Sequence, residues 1–188
     1  WMMVTPTFGG NNPPGPDDEI MAQGMANIGA WIIGRNMFGP IRGPWPDDEW
    51  KGWWGDDPPY QCDVFVLTHH ARPPLEMQGG TVFHFVNDSI EAVLDRARDA
   101  AGGKDVRIGG GVSTVRQYLK GGLIGEVHLA VGPVTLGQGE SFFAGLDLHA
   151  CGLHEVDYRP TKQAAHCFLA REDQAASARS VSAGSRIR

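Results

Sequence analysis

Val106-Arg107-Ile108-Gly109-Gly110-Gly111-Val112-Ser113-Thr114-Val115-Arg116-Gln117-Tyr118-Leu119 is the stretch that decides the fold class. A short β-branched run passes through three glycines into an amphipathic helix, expected over Ser113 to Leu119 and stopped by Gly121-Gly122. Upstream the same alternation repeats. Acidic Asp17, Asp18 and Glu19 precede Ile20, Met21, Met25 and Ile28 at helical spacing, which predicts a helix from about Asp18 to Asn27. Ala30 to Ile33 is a short apolar run broken by Gly34, as expected of a strand covered on both faces. Strands are further predicted over Asp63 to Thr68 and Thr81 to Val86, with a helix from Ser89 to Ala101 that stops at Gly102-Gly103. Strand and helix in alternation mean a mainly parallel α/β sheet.

Downstream the pattern changes. Glu126 to Val131, Gly152 to Tyr158 and Ala164 to Ala170 read as strands without intervening helices, hence an antiparallel C-terminal edge. Residues 5–16 are rich in Gly, Pro and Asn and predict a loop, and residues 172–188 lack apolar periodicity and predict a disordered tail. Between the first two strands, residues 39–60 carry Trp45, Trp50, Trp53 and Trp54 among prolines, glycines and aspartates. A loop of that length is functional or packed. A substrate lid and an aromatic patch at a dimer contact both remain open.

With 188 residues the expectation is one domain, residues 1–171, followed by the tail. The net charge of −6 argues against nucleic acid as a partner, because phosphate-backbone binders gather Lys and Arg on one face. No apolar run nears the ~20 residues of a membrane span and no basic-then-apolar leader opens the chain, so no membrane partner and a cytoplasmic location are expected. Cys62, Cys151 and Cys167 lack paired spacing, and His149, Cys151 and His154 do not converge on an extended segment, so no metal is expected. A hydrolase is disfavoured too, since no serine sits in a Gly-x-Ser-x-Gly elbow.

Two strand ends are suited to phosphate. Gly109-Gly110-Gly111 lets backbone approach a ligand at a helix start, although a tight strand-to-helix turn explains the glycines equally directly. Ile33-Gly34 opens into Arg35-Asn36, where a guanidinium could fork onto a phosphate or simply face solvent. The spacing departs from the G-x-G-x-x-G dinucleotide fingerprint, because Thr114 holds the third glycine slot.

Ile33-Gly34-Arg35-Asn36-Met37-Phe38, Val66-Leu67-Thr68-His69, Ile108-Gly109-Gly110-Gly111, Gly122-Leu123-Ile124-Gly125-Glu126-Val127-His128-Leu129 and Pro133-Val134-Thr135-Leu136-Gly137-Gln138-Gly139-Glu140 come in an order that resembles dihydrofolate-reductase-like proteins. Among these, the similarity is to bacterial members grouped with the reductase domain of riboflavin biosynthesis, and it runs from about residue 17 to 171. The resemblance implies a three-layer α/β/α fold and a homodimeric reductase that moves hydride from NADPH to a small heterocyclic or ribosylamino-pyrimidine substrate. It implies that Gly34, Arg35 and Asn36 meet the cofactor phosphates, with Arg35 at the 2′-phosphate. Thr68 and His69 then flank the adenosine end, and Gly110, Gly111, Val112 and Ser113 hold the pyrophosphate and nicotinamide. Asp18 corresponds to the carboxylate that assists protonation, against the alternative of a helix-capping aspartate. Gly125 stands where many members have Asp, and the family's first strand has no counterpart after Trp1, so an N-terminally truncated domain is expected. A catalytically silent nucleotide-binding protein of the same fold is the alternative function.

Overall fold

The computed structural model describes residues 15–135 and 137–172. The expected loop at 5–16 and the expected tail lie almost wholly outside the described residues. The chain divides into two compact units, Met25–Gln117 and the combination of Trp1–Gly24 with Tyr118–Arg188.

In the first unit, β1 (Ile28–Gly34), β2 (Asp63–Leu67), β4 (Val82–Val86) and β5 (Asp105–Gly110) are parallel, and the two-residue β3 (Leu75–Glu76) adds an antiparallel edge in the order β3-β4-β2-β1-β5. The strands are apolar along their length because both faces are covered: Ala30, Trp31, Ile32, Ile33, Val64, Phe65 and Val66 are all buried. Helix α3 (Ile90–Ala101) covers one face. Ser89 caps its start by accepting the Ala92 N–H at 3.2 Å, and Gly102, at φ 60°, closes its end in the left-handed conformation that a side chain disfavours. Its buried stripe, Val93, Leu94, Ala97 and Ala101, follows helical spacing, and Arg96 lies over the Phe65 ring at 5.6 Å.

Different elements cover the opposite face. The four-residue α2 (Arg35–Phe38) and the tryptophan segment lie there instead, on Trp31, Ile33, Val64, Val66, Phe83 and Phe85. Phe38, 1% exposed, makes edge contacts with Trp45, Phe83 and Phe85 at 6.0, 5.1 and 4.9 Å. The indole N–H groups are satisfied by chain carbonyls, Trp45 to His70 at 2.6 Å and Trp50 to Phe38 at 3.1 Å. Trp50 reaches that carbonyl because Gly39 has no Cβ; one added there would stand 2.3 Å from the indole nitrogen. Arg72, its side chain 4% exposed, pins the segment by donating to the Trp50 and Asp48 carbonyls, both at 3.2 Å, beside the Asp48 carboxylate at 3.3 Å. Between a lid and a packed patch, Trp45 and Trp50 are therefore packed cover, whereas Trp53 and Trp54 remain exposed.

In the second unit, β6 (Glu126–Val131), β8 (Ala165–Arg171) and β7 (Leu153–Pro160) form an antiparallel sheet of their own in the order β6-β8-β7. These strands are antiparallel, as their lack of crossover helices implied, but they hydrogen-bond to one another in a separate sheet rather than forming the expected edge of the parallel one. Helix α1 (Pro16–Met25) starts with Pro at its first position, which suits proline's fixed φ and missing N–H. Between the two runs, α4 (Val112–Lys120) spans the junction of the units in sequence. No helix among the described residues is long and apolar enough to cross a membrane.

Because Phe38 joins the tryptophan cover to the sheet, Phe38→Ala should cost ~3–5 kcal/mol. The urea midpoint should fall with an unchanged slope. A loss below 1 kcal/mol would mean that the cover contributes little to stability.

Candidate functional site

Parallel strands place their carboxyl ends at one edge of a sheet, and ligands of open α/β sheets bind there where the strand order reverses. Here β1 lies between β2 and β5, and the order reverses at β1 and β5. The register sets Gly34 opposite Leu67 and Ile33 opposite Gly110, so the three following loops leave the sheet at one level. Those loops carry Gly34, Arg35 and Asn36, then Thr68 and His69, then Gly110, Gly111, Val112 and Ser113. The structure brings every expected cofactor-binding residue to this edge.

Glycine is required there for close approach. A Cβ on Gly34 would stand 2.5 Å from the Thr114 hydroxyl oxygen, so Gly34 lets the start of α4 pack onto the end of β1. Gly110, at φ 117°, adopts a conformation that side chains rarely take. Nothing lies within 4 Å of a Cβ built on Gly111, which leaves open space over the turn. The first bond of α4 runs from Val115 N to Gly111 O, so the Val112, Ser113 and Thr114 N–H groups precede the intrahelical ladder and make an anion-attracting helix start.

Arg35 is the charged group of the site. Its guanidinium carbon lies 3.8 Å from the centre of the Trp45 ring, and Nη1 donates to the Thr68 hydroxyl at 3.4 Å. Nε and Nη2 are buried and have no hydrogen-bond partner. Burial, reinforced by the nearby Arg42 charge, pulls the Arg35 pKa down, though an arginine stays charged in proteins. A half-buried cation with two buried, unused donors and a second cation nearby is stabilised by an anion. The Thr68 hydroxyl is fixed in turn by the His70 N–H at 3.1 Å. His69 is exposed with Nδ1 3.3 Å from the Asn87 carbonyl oxygen, and Asn36 is exposed on α2. Sequence reasoning missed Trp45 as the guanidinium platform and Thr114 as the reason for Gly34. The first stands ten residues beyond Arg35 across a loop, and nothing in its spacing signals the contact.

Asp18 lies in the other unit. Its Oδ2 accepts the Gly15 N–H at 2.8 Å, the helix-capping geometry weighed above. Its neighbour Asp17 is the buried carboxylate, 7% exposed, and accepts from Thr161 and His166, each at 2.8 Å. Burial raises the Asp17 pKa, but these hydrogen bonds and the His166 charge outweigh it and hold the carboxyl below its usual value. Among the described residues, no group of three or more His, Cys, Asp or Glu is placed to hold a metal ion.

Comparison with known proteins gives the family and the fold. Residues 4–166 match the family of the RibD C-terminal domain. The uncharacterized protein YyaP of Bacillus subtilis (strain 168) is 28% identical over 94 residues, 47% of this chain and 48% of YyaP, so the alignment spans about half the length of that relative. Similar solved structures include a Shewanella sp. PV-4 protein assigned to riboflavin biosynthesis, at 19% identity and a TM-score of 0.55 over 85% of this chain and 84% of that one. RibD of Acinetobacter baumannii superposes at a TM-score of 0.51 with 17% identity, covering 86% of this chain and 52% of RibD. A Thermotoga maritima diaminohydroxyphosphoribosylaminopyrimidine deaminase/5-amino-6-(5-phosphoribosylamino)uracil reductase does so at 0.50 with 14% identity, covering 81% and 48%. At these identities the likeness is one of fold.

Gly34→Ala should lower stability by ~1–3 kcal/mol through overpacking against Thr114. Adding Thr114→Ala to that variant should recover most of the loss, because it removes the clashing oxygen. Paired thermal melts check this, and additive losses would mean that the contact does not set the need for glycine.

Proposed function

This chain belongs to the RibD C-terminal domain family, and from that membership we propose that it is a reductase that binds NADPH at the carboxyl ends of β1, β2 and β5. Its substrate on this reading is a small heterocyclic or ribosylamino-pyrimidine compound of the 5-amino-6-(5-phosphoribosylamino)uracil class. The single observation that carries the reading is the Arg35 guanidinium, over the Trp45 ring at 3.8 Å with Nε and Nη2 buried and unpaired. Those donors fit a phosphate ester, which accepts two parallel N–H bonds from a guanidinium.

The residues present fit the cofactor in the following way. Arg35 takes the 2′-phosphate, and Thr68 and His69 flank the adenosine. The Gly110-Gly111 turn and the start of α4 take the pyrophosphate, since glycine admits the phosphate oxygens to the backbone and the Val112 and Ser113 N–H groups point along the helix dipole. When bound, the dihydronicotinamide supplies the hydride, and the protein supplies binding, orientation and electrostatics.

Isothermal titration tests the reading. NADPH should bind, and Arg35→Ala should weaken it by ~1.5–3 kcal/mol, or roughly ten- to a hundredfold, through loss of a charge-assisted contact. NADH lacks the 2′-phosphate and should lose little in the same variant. Equal losses for both cofactors would show that Arg35 does not read the 2′-phosphate, and no binding of either would remove the reductase reading. Binding without turnover of any pyrimidine substrate would favour a silent nucleotide-binding protein.

A further inference from the structure

The second unit holds a pair of imidazoles that the cofactor site does not use. His149 lies in the turns before β7 and His154 is the second residue of that strand, and their Nδ1 atoms stand 3.1 Å apart. Local hydrogen bonds bring them together. Asp147 accepts the Ala150 N–H through Oδ1 and the Cys151 N–H through its carbonyl, both at 3.1 Å, while the His149 carbonyl accepts the Gly152 N–H at 2.8 Å. Gly152 sits at φ 78°, which a side chain disfavours, and the buried Leu153 returns its N–H to the Leu148 carbonyl at 3.0 Å.

Both rings are exposed. Water competes for the nitrogens of an exposed hydrogen-bonded pair, so that bond contributes little and the turns set the spacing. The spacing is that of two ligands on one ion. With metal–nitrogen bonds of ~2.0–2.1 Å, two ligand nitrogens stand ~2.9 Å apart at a right angle and ~3.3 Å apart at the tetrahedral angle. The observed 3.1 Å falls between these limits, so an ion can be held without rearranging the turns.

We propose that His149 and His154 form a two-imidazole site for a divalent transition-metal ion that favours nitrogen, of the Zn2+ or Cu2+ kind. The inference is independent of the hydride-transfer reading. Among the described residues no third His, Cys, Asp or Glu joins the pair, so water completes the coordination. The Glu155 carboxylate, next in sequence, accepts from the Cys167 thiol at 3.4 Å. In the free neutral pair one Nδ1 donates to the other. On binding, whichever ring donates releases its Nδ1 proton to solvent and takes one up on Nε2. Both Nδ1 lone pairs then face the ion, both rings stay neutral, and no electron changes hands.

Long-range 1H–15N spectra of the full chain, labelled at histidine nitrogens and titrated with Zn2+ at pH 8, decide it. The His149 and His154 Nδ1 resonances should shift together and saturate at one zinc concentration, with both rings ending as Nε2–H tautomers. A response from one ring alone, or from neither, overturns the site. Mg2+ prefers oxygen ligands and should leave both resonances in place; an equal response to Mg2+ would show that no nitrogen-selective site exists. Losing a ligand costs at least as much as losing a ligand's hydrogen-bond partner, so His154→Phe should weaken zinc at His149 by about tenfold or more. Unchanged zinc affinity at His149 in that variant, its backbone spectrum otherwise that of the wild type, would show that the two rings do not share the ion.

Discussion

The packing of the first unit and the setting of Arg35 at its strand ends both depend on the indole of Trp45. Its ring edge packs on Phe38 and Phe85, and its N–H is taken by the His70 carbonyl. Its face supports Arg35, with Arg72 5.0 Å from the ring centre as well. A tryptophan with its N–H satisfied can be buried without leaving a polar group unpaired. The same burial puts a low-dielectric wall beside the Arg35 guanidinium, which strengthens any contact the cation makes with an anion. Packing energy from the core is thus linked to charge presentation at the strand ends.

Arg72 works differently although it lies over the same rings. Its Nη1 and Nη2 donate to two carbonyls of the tryptophan segment, and its buried Nε, without a hydrogen-bond partner, lies 3.3 Å from the Asp48 carboxylate. It therefore fixes structure. Arg35 has one bond, to Thr68, and two buried nitrogens without an acceptor. The two arginines over one aromatic cluster differ in their terminal nitrogens: both of those of Arg72 reach carbonyls of the segment, whereas Arg35 keeps a buried Nη2, beside its buried Nε, with no acceptor.

The parallel elements were legible because each has its own local signal: a continuous apolar run for β1 and β2, a serine cap and glycine stop for α3, and glycines leading into α4. The expected helix at 18–27 forms two residues earlier, as Pro16 supplies the first position and β1 takes up the chain from Ile28. The short β3 was not legible, since two residues carry no periodicity. In the site, glycine and arginine announce phosphate chemistry by type, but Trp45 and Thr114 enter through tertiary packing alone. Asp17 and Asp18 differ for the same reason. Neighbouring residues on a helix point about 100° apart, and the contacts with Thr161 and His166 determine which carboxylate is buried.

In the proposed complex a dinucleotide occupies the ends of β1, β2 and β5, with its phosphates at Arg35 and the Gly110-Gly111 turn. The most direct measurement is a titration of uniformly 15N-labelled protein with NADPH, following the backbone amides and the Arg35 Nε–H together. The account predicts saturable shifts at Gly34, Arg35, Thr68 and Gly110 to Ser113, with the Arg35 Nε–H moving in the same titration. Saturable shifts confined to other residues, or an Arg35 Nε–H that stays in place while the glycine amides move, would contradict it.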